Sequence, residues 1–341
     1  MILDNLRLYL NRCIKLSNKK DLKIILSFHQ TSKSDRNLDN TFYTLPPRVF
    51  DNYIIAGFCN LKQEYIISLA KEFKDKINFF LVDLEKKGVV GLGENDNLIT
   101  GNLEGRLEEI IEKEKILGIR FDALTAEHVI NLLIKENPFL YKRSISIIGL
   151  GKIGFKIAIS LLECGNNVEI YSRDYKKTFE KCNCMNILKP PSTIARPILH
   201  REIESSLINK DIIITATNSF GVINKTNCKL LKKGSRIISV GHNEFSKDAI
   251  QYFANNDNII FSRVDIGKSL IQYLKRLLDK NEILPKRKSY LKKTLVSGGY
   301  IGMPGDYIVD DADNPQLIFG FINENGKFKR ELRLFDHKKE I

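Results

Sequence analysis

Residues Ser144–Asp174 read SISIIGLGKIGFKIAISLLECGNNVEIYSRD, and this stretch decides the fold. Ile145, Ile147 and Ile148 predict a short buried strand, and Gly149-Leu150-Gly151-Lys152-Ile153-Gly154 follows it directly. In a dinucleotide-binding βαβ unit the first glycine makes the tight turn and the second lets a pyrophosphate approach the backbone. The third lets the helix pack on the strand. Ile157, Ala158, Leu161 and Leu162 recur at helical spacing, Gly165-Asn166 ends the helix, and Val168, Ile170 and Tyr171 begin a second strand. The helix N-terminus then offers N–H groups and a positive dipole end to phosphates. With both strands and the helix in place, the reading is a nucleotide-binding Rossmann unit.

The end of the second strand bears on the choice of dinucleotide. An acid there suits the free ribose of NAD, whereas an arginine suits a 2′-phosphate. Ser172 and Arg173 occupy the position, and Asp174 comes one or two residues late. The expectation is NADP(H), with NAD(H) as the alternative.

The chain has 341 residues, long enough for two ordinary domains with normal cores. No run of apolar residues is long enough to span a bilayer. MILDNLRLYLNRCIKL at the N-terminus mixes charges into a Leu3, Leu6, Leu10, Ile14 spacing, which predicts a core-facing amphipathic helix rather than a signal peptide. Six scattered cysteines without a partnering CxxC or paired histidine read as reduced cytoplasmic thiols, and no metal site is expected. The net charge of +13 comes from lysines spread along the chain without a nucleic-acid motif. It suits an anionic cofactor or substrate, not nucleic acid or a membrane.

Strands alternating with helical patterns predict an α/β protein with a doubly wound parallel sheet. Before the glycine motif, strands are expected at Leu22–Phe28, Tyr53–Phe58 and Ile77–Asp83, helices at Gln63–Phe73 and Asn102–Leu117, and a turn at Leu45-Pro46-Pro47. Ligands in such sheets sit at the carboxyl ends of strands. That singles out His29, Gln30, Cys59, Asn60 and Asp83. After the motif, buried strands are expected at Asp211–Ala216 and Gly234–Val240, a last strand at Asn258–Phe261, and an amphipathic helix at Ser269–Leu278. Thr215, Ala216, Thr217, Asn218, Gly241 and His242 fall at the ends of two of these strands, where the nicotinamide ribose would lie. The glycine-rich loop Ser297–Gly305 precedes Asp306, Asp310, Asp311 and Asp313, read as a solvated turn-rich segment. A hairpin is expected around Asn323–Gly326. The domain expectation is 1–120 as a substrate or partner domain, 121–140 as a connecting helix, 141–280 as the Rossmann domain, and 281–341 as a loop and hairpin extension.

From residues 121 to 265 the chain resembles the cofactor domain of S-adenosylhomocysteine hydrolases and their formate/glycerate dehydrogenase relatives. The resemblance rests on FDALTAEHVINLLIK (Phe121–Lys135), GLGKIG, TATN (Thr215–Asn218), SVGHNEFSKDAI (Ser239–Ile250) and SRVD (Ser262–Asp265). IYSRD, IIITAT and LLKKGSRIISVGH resemble ornithine cyclodeaminase-like proteins as well. The resemblance implies a nicotinamide dinucleotide in a cleft between two α/β domains. It puts Asn218 and His242 near the nicotinamide and its ribose and makes Asp122 the counterpart of an active-site aspartate. Gly118 and Ala123 stand where the hydrolases carry a catalytic lysine and an asparagine, and Ser172-Arg173 replaces their acidic strand end.

The expectation is therefore an NAD(P)-dependent oxidoreductase for a small polar metabolite, with His242 as acid/base or carboxamide contact and Asp122 as its partner. Two alternatives stand beside it: an enzyme that uses a tightly held NAD internally, as hydrolases and cyclodeaminases do, and a non-catalytic dinucleotide-binding protein. A homodimer is expected of a closed two-domain enzyme.

Overall fold

The computed structural model describes residues 2–29, 43–59, 61–85, 91–92, 98–99, 103–241, 243–256, 258–278, 286–297 and 301–336. Two units divide the chain, Met1–Gln272 and Tyr273–Ile341.

The first unit opens with α1 (Ile2–Lys19), whose Leu6, Leu10 and Cys13 are buried at helical spacing. Three strands follow, β1 (Lys23–His29), β2 (Tyr43–Phe50) and β3 (Tyr53–Cys59), then α2 (Gln63–Phe73) and β4 (Phe79–Asp83). β1 and β3 are near-continuous apolar runs, as strands covered on both faces require. The short pair β5 (Gly91–Leu92) and β6 (Leu98–Ile99) leads to α3 (Leu103–Glu108), β7 (Ile116–Ile119) and α4 (Phe121–Glu136). The sheet order is β2-β3-β1-β4-β7, parallel except for the edge strand β2.

Two expectations for this region give way. The helix over Asn102–Leu117 stops at Glu108, and Ile116 and Leu117 instead pair with Phe80 and Leu81 of β4. Exposed Glu–Lys pairs contribute only a few tenths of a kcal/mol each, less than a ladder closing the sheet edge. Leu45-Pro46-Pro47 is no turn but a register shift inside β2 between Leu45 and Arg48. Proline lacks the N–H a regular ladder needs and is confined to edges and bulges.

The second sheet is built from β8 (Ile145–Ile148), α5 (Lys152–Glu163), β9 (Val168–Tyr171), α6 (Tyr175–Leu188) and β10 (Pro197–His200). It continues with β11 (Ile212–Thr215), α7 (Lys225–Cys228), β12 (Arg236–Ser239), α8 (Lys247–Ala254), β13 (Ile260–Arg263) and α9 (Gly267–Leu278). All six strands run parallel in the order β10-β9-β8-β11-β12-β13. Counted within this sheet the order is 3-2-1-4-5-6, the doubly wound Rossmann topology. β10 is the one strand of this sheet that local pattern does not announce. It is short, begins with a proline and is only partly buried.

The second unit holds β14 (Arg287–Tyr290), β15 (Lys293–Val296), β16 (Asp306–Val309), β17 (Leu317–Ile322) and β18 (Phe328–Leu334), paired in that order. The β17–β18 hairpin turns at Asn323–Gly326, where Gly326 has φ +71°. Leu295, Val309, Ala312, Ile318 and Phe335 make its core. Of the aspartates before the hairpin, Asp313 pairs with Lys286 and Lys288, whereas Asp306, Asp310 and Asp311 accept backbone N–H groups. Asp306 accepts the Met303 N–H (2.8 Å), and Asp310 accepts those of Gln316 and Leu317 (3.0 Å each).

Candidate functional site

The glycine turn shows a separate steric demand at each glycine. Gly149 has φ +98°, and its N–H donates to the Tyr171 carbonyl (2.7 Å), tying the turn to the end of β9. A Cβ on Gly154 would lie 2.2 Å from the Gly149 carbonyl oxygen, so α5 is pressed against the turn. At Gly151, which caps α5, a Cβ would meet only the Ala216 oxygen, at 3.9 Å. Steric need inside the protein therefore explains Gly149 and Gly154 but not Gly151. The open space there lies over the first N–H groups of α5, which have no carbonyl one turn back to receive them. This arrangement fits a dinucleotide's diphosphate.

A cleft of about 330 Å³ opens at this turn. Gly149, Leu150 and Gly151 line one side, and Ala216, Thr217 and Asn218, following β11, line another. Tyr171, Ser172, Arg173 and Asp174 form the third side with Lys177 and Lys181 of α6. Asp174 caps α6, its Oδ1 accepting the Lys177 N–H at 3.0 Å. Lys181 donates Nζ to the Leu150 carbonyl. Burial, then the charge of Lys177, lowers its pKa below the ordinary lysine value. Among the described residues Arg173 and Lys177 form no ion pair. The side of the cleft at the end of β9 is thus cationic, with its carboxylate engaged.

Thr215 lies beneath the cleft, fully buried. Its Oγ1 donates to Glu244 (2.7 Å), as do the Ser239 Oγ (2.7 Å) and the Thr217 N–H (2.9 Å). Burial raises the Glu244 pKa above its ordinary value despite these donors. Gly241 packs so closely that a Cβ would sit 2.0 Å from the Thr217 carbonyl oxygen. His242 lies outside the described residues, as do Gln30 and Asn60.

On the other side of the glycine turn stand residues of the first sheet and its connecting helix. The His29 ring stacks on Phe121, with centroids 3.6 Å apart. Asp122 is not at the open end of the cleft. It is buried at the start of α4, accepting the Ala123 N–H (2.7 Å) and held by Lys156 of α5. Glu85, just beyond β4, lies 3.4 Å from Lys152 Nζ and 3.8 Å from Lys156 Nζ. Burial opposes ionisation of Asp122, but hydrogen bonding to Glu85 and Lys156 outweighs it and brings its pKa to about 2. Farther along, Arg48 of β2 makes two hydrogen bonds to Asp265 (2.7 and 3.2 Å), and His128 meets Ser269 at 2.7 Å.

Glu85, Lys156, Lys177, Lys181 and Glu244 were not singled out individually by sequence reasoning. Lys177 and Lys181, four apart on one helix after the strand end, are a signal legible in the sequence. Glu85 and Lys156 are not, because 71 residues separate them. A larger concavity of about 470 Å³ lies between α2 and α3, but Lys71, Lys74, Arg106 and Glu109 around it are all exposed.

No family model matches the chain. Over 205 residues it is 27% identical to a protein of Methanocaldococcus jannaschii described as a putative precorrin-2 dehydrogenase, spanning 58% of this chain and 93% of that one. Among solved structures, the dipicolinate synthase A chain of Bacillus subtilis is 15% identical, with 75% of this chain and 95% of that chain covered and a TM-score of 0.36. The L-tryptophan dehydrogenase of Nostoc punctiforme is 12% identical, with 71% and 70% covered and a TM-score of 0.40. These structural likenesses are too distant to bear on activity. The Rossmann topology of the second sheet is what this chain has in common with such proteins, and the expected resemblance to S-adenosylhomocysteine hydrolases or cyclodeaminases in particular is not shown.

Proposed function

We propose that this protein is an NAD(P)-dependent oxidoreductase acting on a small polar metabolite, with NADP(H) as its preferred dinucleotide. The observation that carries the reading is the glycine turn. Gly151 leaves open the approach to the α5 N-terminus, where nothing inside the protein requires a glycine. The turn would hold the diphosphate and the ends of β11 and β12 the nicotinamide ribose. Bound there, the nicotinamide supplies hydride transfer. Substrate would approach from the carboxyl end of the first sheet, where His29 lies. The similarity to a putative precorrin-2 dehydrogenase supports the dehydrogenase class.

Preference for NADP(H) follows from the cationic side of the cleft. Asp174 is engaged in capping α6, so it is poorly placed to accept ribose hydroxyls. Ser172, Arg173 and Lys177 offer donors and positive charge to a 2′-phosphate, for which guanidinium geometry is well suited. Fluorescence titration with NADPH and NADH tests both parts. NADPH should bind at least about tenfold tighter, and Arg173→Ala and Lys177→Met should each remove much of that margin while leaving NADH binding little changed. Equal affinities would sink the preference, and no binding of either would sink the oxidoreductase reading.

A further inference from the structure

The glycine turn is pegged at both ends by its own backbone. The Gly149 N–H donates to the Tyr171 carbonyl (2.7 Å), and the Phe155 N–H closes the first turn of α5 on the Gly151 carbonyl (3.0 Å). The peptide between them is held differently. Among the described residues, no backbone N–H donates to the Leu150 carbonyl, and the Gly151 N–H donates to no backbone carbonyl. The Leu150 side chain is buried in the core beneath, which fixes its Cα but leaves the peptide beyond it free to rotate. Rotation there costs little, because glycine accepts both signs of φ.

The group that holds this peptide is Lys181 of α6, whose Nζ donates to the Leu150 carbonyl. α6 is a firm base for it, since Asp174 caps its first turn and Cys182 and Met185 are buried. Burial and the charge of Lys177 both disfavour the Lys181 ammonium, so the ammonium needs its acceptor as much as the carbonyl needs its donor. The carbonyl and N–H of one peptide unit lie on opposite edges. With the Leu150 carbonyl turned to α6, the Gly151 N–H is turned away from α6, as a donor at the opening of α5. A flipped peptide would put a carbonyl oxygen in its place, and an anion there would meet an acceptor instead of a donor.

Resting on the dinucleotide reading above, we propose that Lys181 is a positioning residue that locks the Leu150–Gly151 peptide in the orientation that receives a diphosphate. Its role is separate from that of Lys177, one turn earlier on the same helix. Arg173 and Lys177 serve the 2′-phosphate, and Lys181 serves the part of the ligand that NADPH and NADH share.

Two measurements on the full chain test this. Hydrogen exchange of the free protein, read by mass spectrometry over residues 149–155, reports on the turn without any nucleotide. Fluorescence titration with NADPH and with NADH reports the consequence for binding. In Lys181→Met the segment should exchange severalfold faster than in the wild type while α8 is unchanged. Both affinities should fall by a similar factor, about tenfold. Lys177→Met, which removes an equal charge from the same helix, should leave exchange at the wild-type rate and weaken NADPH alone. Lys181→Arg, which keeps a charged donor, should recover most of the protection and of the affinity. Unchanged exchange over residues 149–155 in Lys181→Met, a rise shared equally by α8, or a loss confined to NADPH would each overturn the proposal while leaving the dinucleotide site standing. If the wild type binds neither nucleotide, the functional reading falls and the positioning role falls with it, whatever the exchange shows.

Discussion

The carboxylate of Glu244 accepts the backbone N–H of Thr217 at 2.9 Å, joining the segment beyond β12 to the turn beyond β11. Glu244 is 1% exposed and also accepts from Thr215 and Ser239, so one buried acid holds together the ends of two strands below the cleft. Removing it leaves several buried donors unsatisfied. Glu244→Ala should cost about 3 kcal/mol of stability, whereas Glu244→Gln, with an oxygen still available to the backbone donor, should cost about 1 kcal/mol. Burial raises the Glu244 pKa, so the folded state holds the proton more tightly than the unfolded one. Its contribution is therefore greatest below the unfolded value and declines as pH rises through the folded value. Urea unfolding across that range should show the decline in wild type and its absence in Glu244→Gln.

Gly151 and Gly154, three residues apart, should behave oppositely when substituted. A Cβ at Gly154 meets the Gly149 carbonyl, which cannot withdraw without reshaping the turn. Gly154→Ala should destabilise by about 2–3 kcal/mol through overpacking. Gly151→Asp has room and should leave the melting temperature nearly unchanged. It places a negative charge at the α5 N-terminus, however, and dinucleotide affinity should fall by more than about tenfold. Thermal unfolding beside fluorescence titration separates the two, and matching losses of stability would contradict the distinction.

Asp122 should define part of the acid limb of stability. Its folded pKa of about 2 lies below the ordinary 3.8. The stabilisation is thus fully present above the ordinary value and is lost as pH falls through about 2. Asp122→Asn breaks the pair with Lys156, whose side chain is 30% exposed and so partly hydrated. The expected cost is about 2 kcal/mol near neutrality, below that of a fully buried pair. Unfolding at a series of pH values should show this gap closing in acid. A gap independent of pH would assign the loss to packing.

The βαβ unit was legible because its determinants are local. Gly149 takes a positive φ in the turn, Gly154 presses on the Gly149 carbonyl five residues back, and Ile157, Ala158, Leu161 and Leu162 bury one helix face at regular spacing. Gln63–Phe73 was read to the residue for the same reason. The expected strands Asp211–Ala216 and Gly234–Val240 cover the observed β11 and β12, since buried parallel strands leave continuous apolar runs. β7 and β10 lacked such runs. Ile116–Ile119 becomes a strand because β4 offers it an open edge, and Pro197–His200 because β9 does.

By itself, the sequence determined a Rossmann unit with its glycine turn, and which strand ends would carry polar residues. Those properties follow from backbone sterics and from the periodicity with which apolar side chains are buried. Only the tertiary structure decided which polar residues act together. It engages Asp174 in capping a helix while Arg173 and Lys177 face the cleft, brings Glu85 and Asp122 against the lysines of α5, and buries Glu244 among its donors. Charge pairing depends on distances between elements that chain order does not set, and the cost of burying an ion depends on the enclosure that packing creates.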